Sequence, residues 1–199
     1  MPKPIKDIGQ EELLKEITAL LYKAQIPYMI TGSVGVIYYG RPRASHDIDF
    51  VVEAHEQDID RIQKAFLSLP HKEFIVDTYW MEEAIHKKLQ FNVLHLPTML
   101  KLDFWLLKDE QFDQERFKRR KHIRVFGQEM TFASPEDTIL IKLLWYKESD
   151  IEKHLIDAAF VYQIQKKSLD QIYLEEWAKK HKTTSLLEEI AEINLENHY

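Results

Sequence analysis

Asp47-Ile48-Asp49-Phe50-Val51-Val52 is the stretch that most narrows what this chain can become. Strand side chains alternate between faces, so Asp47 and Asp49, two residues apart, project from the same side. Ile48, Phe50, Val51 and Val52 mark the strand as central in its sheet, where an unpaired carboxylate is costly. Two such groups therefore imply a cation or solvent at the strand's exposed end. Magnesium is the expected ion, being hard, oxygen-seeking and commonly held by a few carboxylates together with substrate phosphates.

The residues just before it extend the argument. Tyr28 to Thr31 reads as a strand and Ser33 to Tyr39 as a short helix, with Gly32 and Ser33 at their junction. Backbone N–H groups and a hydroxyl at such a junction suit phosphate oxygens, and glycine lets the backbone come close. Gly40 and Pro42 then break the helix and leave Arg41 and Arg43 on a loop leading into the aspartate strand.

Upstream, Leu13, Leu14, Ile17, Leu20 and Leu21 recur at helical spacing from Glu11 to Lys23. Downstream, Gln57 to Leu69 is helical, Phe74 to Val76 a short strand and Tyr79 to Lys88 weakly helical. Gln90 to His95 and Met99 to Leu106 read as antiparallel strands. In the second of these, Leu100, Leu102, Phe104 and Leu106 share one face and leave Lys101, Asp103 and Trp105 on the other. An acid mid-strand among large apolar residues makes Asp103 a third candidate metal ligand. A basic helix over Phe112 to Arg120 and a hairpin around Gly127 follow. Ser134-Pro135-Glu136-Asp137 then combines an N-cap serine, proline at the first helical position and first-turn acids. Helices are expected over about 135 to 147, 150 to 165, 170 to 181 and 184 to 196.

The 199 residues contain no cysteine, which excludes disulfides, thiol nucleophiles and thiolate metal sites. A net charge of -6 argues against a protein that coats nucleic acid indiscriminately. No apolar run approaches the roughly 18 residues a membrane helix needs. Met1 to Glu12 is too polar for a secretory signal, so no membrane association and a cytoplasmic location are expected.

The Gly-Ser turn, short helix, Asp-x-Asp strand and later strand acid resemble the nucleotidyltransferase superfamily of the DNA polymerase β type. A longer ordered set carries the resemblance further. It comprises Thr31-Gly32-Ser33, Tyr39-Gly40, Pro42-Arg43, Asp47-Ile48-Asp49, Asp103, Arg119-Arg120, Ser134-Pro135-Glu136-Asp137, Ile139-Leu140, Lys142-Leu143, Trp145 and Asp157. Together these look like the bacterial AbiEii-like nucleotidyltransferases, which include toxin components of toxin–antitoxin pairs. The resemblance spans Tyr28 to about Ile190.

It implies an α/β (α+β) nucleotidyltransferase fold, a mixed sheet flanked by helices in residues 1–133, then a helical domain in 134–199. It implies transfer of a nucleoside monophosphate from a nucleoside triphosphate, such as ATP, to an RNA 3′ end, a protein or a small molecule. Asp47, Asp49 and Asp103 would hold two Mg2+ or Mn2+ ions, about 3.5 to 4 Å apart in such sites. Gly32 and Ser33 would grip phosphates, with Arg43 or Lys142 neutralising charge that develops on them. An antitoxin is an implied partner. Two other readings use the same residues: a non-catalytic binding partner of this fold, or a magnesium phosphohydrolase.

Several residues also have plainer explanations. Lys142, in an apolar helix, is weighed as a snorkelling lysine or a phosphate ligand. Trp145 and Tyr146 are read as interdomain core. His154 and Asp157, three apart on a helix, are read as a surface pair ahead of a catalytic one, with Asp157, which belongs to the family pattern, as an alternative facing the cleft. The basic run Arg116, Lys118, Arg119, Arg120, Lys121, His122 and Arg124 is a solvated face, or a guide for a polyanion.

Overall fold

Three phenylalanines on neighbouring strands set the register of the sheet. A computed structural model describes residues 9–198 of the chain, arranged as two units, one of residues up to Ile30 with Ser45–Phe132 and one of Thr31–Ala44 with Ala133 onward. In the first unit, Phe50 on β2 (Asp47–Val52) is opposite Phe104 on β5 (Leu100–Leu106), which is opposite Phe91 on β4 (Gln90–His95). Their rings stack at 5.0 and 4.9 Å, and Phe66 of α3 (Ile59–Leu67) meets Phe104 edge-on. Each such pair contributes about 0.5–1.5 kcal/mol beyond its buried area. A one-residue slip would turn all three rings off the buried face, so the register is strongly specified.

The sheet has seven strands in the order β3-β4-β5-β2-β1-β7-β6. The remaining strands are β1 (Tyr28–Thr31), β3 (Phe74–Val76), β6 (Lys121–Val125) and β7 (Gln128–Phe132). Pairing is mixed: β2 runs parallel to β5 and β1 to β7, while β3–β4, β4–β5 and β6–β7 are antiparallel. The β6–β7 hairpin closes on Phe126 and Gly127, both at positive φ. That is the two-residue turn whose twist matches the strands. α1 (Gln10–Lys23) buries Leu13, Leu14, Ile17 and Leu21, as its spacing predicts. α4 (Thr78–Lys87) and α5 (Gln111–Lys118) complete this unit.

The second unit is helical: α2 (Gly32–Tyr39), α6 (Pro135–Ser149), α7 (Glu152–Gln165), α8 (Gln171–His181) and α9 (Thr184–Glu192). Because Thr31–Ala44 groups with the later helices, a single cut in the chain does not describe the division. Ser134 caps α6 as its sequence predicts, its Oγ accepting from the Asp137 N–H at 3.1 Å. Tyr173 of α8 donates to the buried Asp137 at 2.7 Å, and Glu136 accepts from the Asp170 N–H at the start of α8. α9 stops at Glu192, short of the expected 196. There the Gln163 amide donates to the Ile190 and Ile193 carbonyls, satisfying groups the helix end leaves without partners. No helix among the described residues is long and apolar enough to cross a membrane.

Candidate active site

The phenylalanine ladder on one face of the first unit's sheet dictates what happens on the other. With Phe50 opposite Phe104, the preceding residues Asp49 and Asp103 must also be opposite one another, on the reverse face. Asp47, two residues before Asp49, shares that face and is paired in register with Lys101. Both Asp49 and Asp103 are buried, at 9% and 4% exposure. Two adjoining carboxylates removed from water need compensation, because each ionised group loses its hydration.

Each acid of this face has an identifiable partner. Ser45 donates its hydroxyl to Asp47 Oδ1 at 2.6 Å. The Trp105 indole N–H, on the acid face two residues beyond Asp103, donates to Asp49 Oδ1 at 3.3 Å. Lys101 Nζ lies 2.9 Å from Asp103 Oδ2. Asp103 Oδ1, though buried, has no hydrogen-bond partner.

The hydrogen bond to Asp103 holds the Lys101 ammonium above the usual lysine range, against desolvation, and the charges of Asp103, Asp47 and Asp49 add to it. All three carboxylates therefore act on one point of this face. An acid pair with an orphaned buried oxygen fits a hard cation. As the side chains stand, no three or more His, Asp or Glu residues among those described form a metal-holding group.

Lys101 and Trp105 carry no role in the sequence reading. Strand alternation placed both beside Asp103, and that was the available signal. What it lacked was the register that aims one at Asp103 and the other at Asp49.

In the second unit the charges are reversed. Arg43, in the segment after α2, donates from Nε and Nη2 to the two oxygens of Asp157 at 3.0 and 2.8 Å. Lys142 of α6 lies 3.1 Å from the same carboxylate on α7. Asp157 is fully buried and Lys142 only 3% exposed. This corrects one expectation, since Asp157 is not part of a surface pair with His154, and it removes the snorkelling one of the two readings of Lys142. The reason is packing, since α7 lies against both α2 and α6 and its Asp157 face is turned inward. His154 meets Trp145 edge-on, and Lys142 lies 4.9 Å from the Trp145 ring. Burial, then the Lys142 charge, pushes the His154 pKa down.

Gly32 and Ser33 open α2. Gly32 has φ +61°, a conformation that side chains disfavour, so glycine is required there by backbone geometry. Ser33 is buried, and Thr31 caps the helix without a side-chain hydrogen bond. A Cβ at Gly35 would sit 3.3 Å from Thr138 Oγ1, so that glycine serves the packing of α2 on α6. Within the basic run, Arg116 is buried and paired with Asp113. Lys121, His122 and Arg124 are exposed on β6, an edge strand.

Residues 36–198 match the profile of the family described as "Nucleotidyl transferase AbiEii toxin, Type IV TA system". No curated protein is significantly similar to the chain in sequence. Among solved structures, the solution structure of the antibiotic-resistance factor ANT(2'')-Ia is similar, with a TM-score of 0.60 and 14% identity over 92% of this chain and 96% of that one. The crystal structure of ANT(2'')-Ia with adenylyl-2''-tobramycin gives a TM-score of 0.59 and 16% identity, covering 88% of this chain and 98% of that one. The lincomycin-bound lincosamide antibiotic adenylyltransferase LnuA gives 0.53 and 16%, covering 78% and 98%. At these identities the likeness is one of fold.

Proposed function

The chain belongs to the AbiEii family of nucleotidyl transferase toxins of type IV toxin–antitoxin systems, and from that premise we propose that it transfers a nucleoside monophosphate from a nucleoside triphosphate to an acceptor hydroxyl, with Asp47, Asp49 and Asp103 holding divalent ions. The observation that carries this reading is the in-register pairing of Asp49 with Asp103, whose Oδ1 is buried without a partner. Mg2+ or Mn2+ bound at such acids would neutralise triphosphate oxygens and make the acceptor hydroxyl easier to deprotonate.

The chain's own residues supply the rest. Asp103 accepts the hydroxyl proton through a carboxylate oxygen. The acceptor oxygen forms a bond to the α-phosphorus, the bond from that phosphorus to the bridging oxygen breaks, and pyrophosphate leaves. Ser45 and Trp105 orient the carboxylates of Asp47 and Asp49 through one hydrogen bond each. The Gly32 and Ser33 backbone N–H groups grip phosphate oxygens. Arg43 and Lys142, which meet at Asp157, would neutralise phosphate charge.

The acceptor is an RNA 3′ end, a protein or a small molecule, and an antitoxin is the expected partner. A titration with Mg2+ and each of the four triphosphates, followed by transfer of α-labelled nucleotide, tests the reading. Metal-dependent labelling with pyrophosphate release is expected, lost in Asp49→Asn. Phosphate release without labelling would instead indicate a phosphohydrolase. Equal target binding by wild type and Asp49→Asn, with no labelling by either, would indicate a non-catalytic partner.

A further inference from the structure

We propose that Lys101 is a resident counter-cation of the acid face, competing with the divalent ion for Asp103 and setting the ion concentration at which the site fills. The proposal rests on the metal-binding reading of Asp47, Asp49 and Asp103. Lys101 is opposite Asp47 in the parallel β2–β5 ladder and reaches Asp103 Oδ2 at 2.9 Å. Magnesium takes carboxylate oxygens at about 2.0–2.1 Å and tolerates little distortion of its octahedron. An ammonium 2.9 Å from the same oxygen crowds that approach and repels the incoming ion.

The two ends of the pair are unequal. The Asp103 side chain is 6% exposed, whereas that of Lys101 is 50% exposed. The carboxylate is fixed by its strand and its burial, while the ammonium sits on a flexible four-carbon stem with water beside it. Lys101 can therefore withdraw, and Asp103 cannot. A lysine here lets two adjoining buried acids fold together without an ion, at the expense of ion affinity.

The test is Mn2+ binding, followed by the electron paramagnetic resonance of free Mn2+, on wild type, Lys101→Met, Lys101→Arg, Asp103→Asn and the Lys101→Met/Asp103→Asn double variant. Circular dichroism and thermal melting serve as controls for folding. Lys101→Met is expected to bind Mn2+ about fivefold more tightly, the scale of a half-exposed ion pair. Lys101→Arg, which keeps the charge, should stay within about twofold of wild type. On the Asp103→Asn background, removing Lys101 should bring no comparable gain.

Binding by Lys101→Met that is unchanged or weaker, with wild type binding normally, overturns the proposal and leaves the metal site standing. Binding by neither folded protein overturns both. Binding by Lys101→Met alone supports the proposal in its strongest form.

Discussion

The two charge clusters of this protein are built to opposite plans. On the sheet of the first unit, three carboxylates share a face with one lysine that is half in water. In the helical unit, one fully buried carboxylate serves two cations, and little of that cluster reaches solvent. The first has an orphaned oxygen and a half-solvated counter-ion, so it can exchange what it binds. The second is closed by a bidentate arginine, a geometry with two directed hydrogen bonds. The difference teaches that a charged group's role depends on whether its partner can leave. Lys101 can; Arg43 and Lys142 are held by packing around Asp157.

The strongest challenge to this contrast is Asp49→Asn. It should lower nucleotide transfer by roughly a thousandfold, the scale of losing a group that stabilises developing charge. Its melting temperature should stay near that of wild type. Comparable activity would remove the exchangeable cluster from the chemistry.

Asp157→Ala probes the closed cluster, where the buried Lys142 and the part-buried Arg43 lose the carboxylate they share. A loss of about 3–5 kcal/mol in urea unfolding is expected, the scale for breaking a buried pair. Lys101→Met should cost less, about 1–2 kcal/mol, because its ammonium is half in water although the carboxylate it leaves is buried. Equal losses in the two variants would erase the distinction.

Trp105→Phe keeps the ring and removes the N–H that Asp49 accepts. Transfer should fall by about two- to tenfold, the worth of one hydrogen bond, with folding intact. Steady-state kinetics at saturating Mg2+ would measure it.

The mildest expected effect is that of pH. Burial pushes the pKa of His95 in the first unit and of His154 in the second below the ordinary 6.5. The unfolded chain takes up these protons near pH 6.5 while the folded chain resists until lower pH, so acid favours unfolding. Stability should hold above pH 6.5 and decline through the depressed pKa values, by less than Asp157→Ala costs. His95→Gln and His154→Gln, each melted from pH 7.5 to 5, would apportion the slope between the units. A flat profile in wild type would contradict the burial of both.

Most elements were legible because their signals are local. Alternation announced β2 and β5, Ser134-Pro135 announced α6, and 3.6-residue spacing announced α1. The family resemblance read from the ordered motifs agrees with the profile match over residues 36–198. Local signals failed where a partner far along the chain decides the outcome. Asp157 looked like a surface acid because its helix carries no clear apolar stripe, and its partner Arg43 lies 114 residues earlier. The end of α9 was misplaced because Gln163, 27 residues away, satisfies its carbonyl.

The sequence by itself determined that Asp47 and Asp49 share a face, that Asp103 stands with Lys101 and Trp105, and that glycine, serine and proline punctuate the helices. These follow from the two-residue period of strands and the few conformations open to each turn residue. Only the tertiary structure decided that Asp49 is opposite Asp103, that Lys101 neutralises one acid, and that Asp157 is a buried clamp. Register and burial are relations between distant segments, set by rings and helices that must pack together at once, and no local stretch of chain contains them.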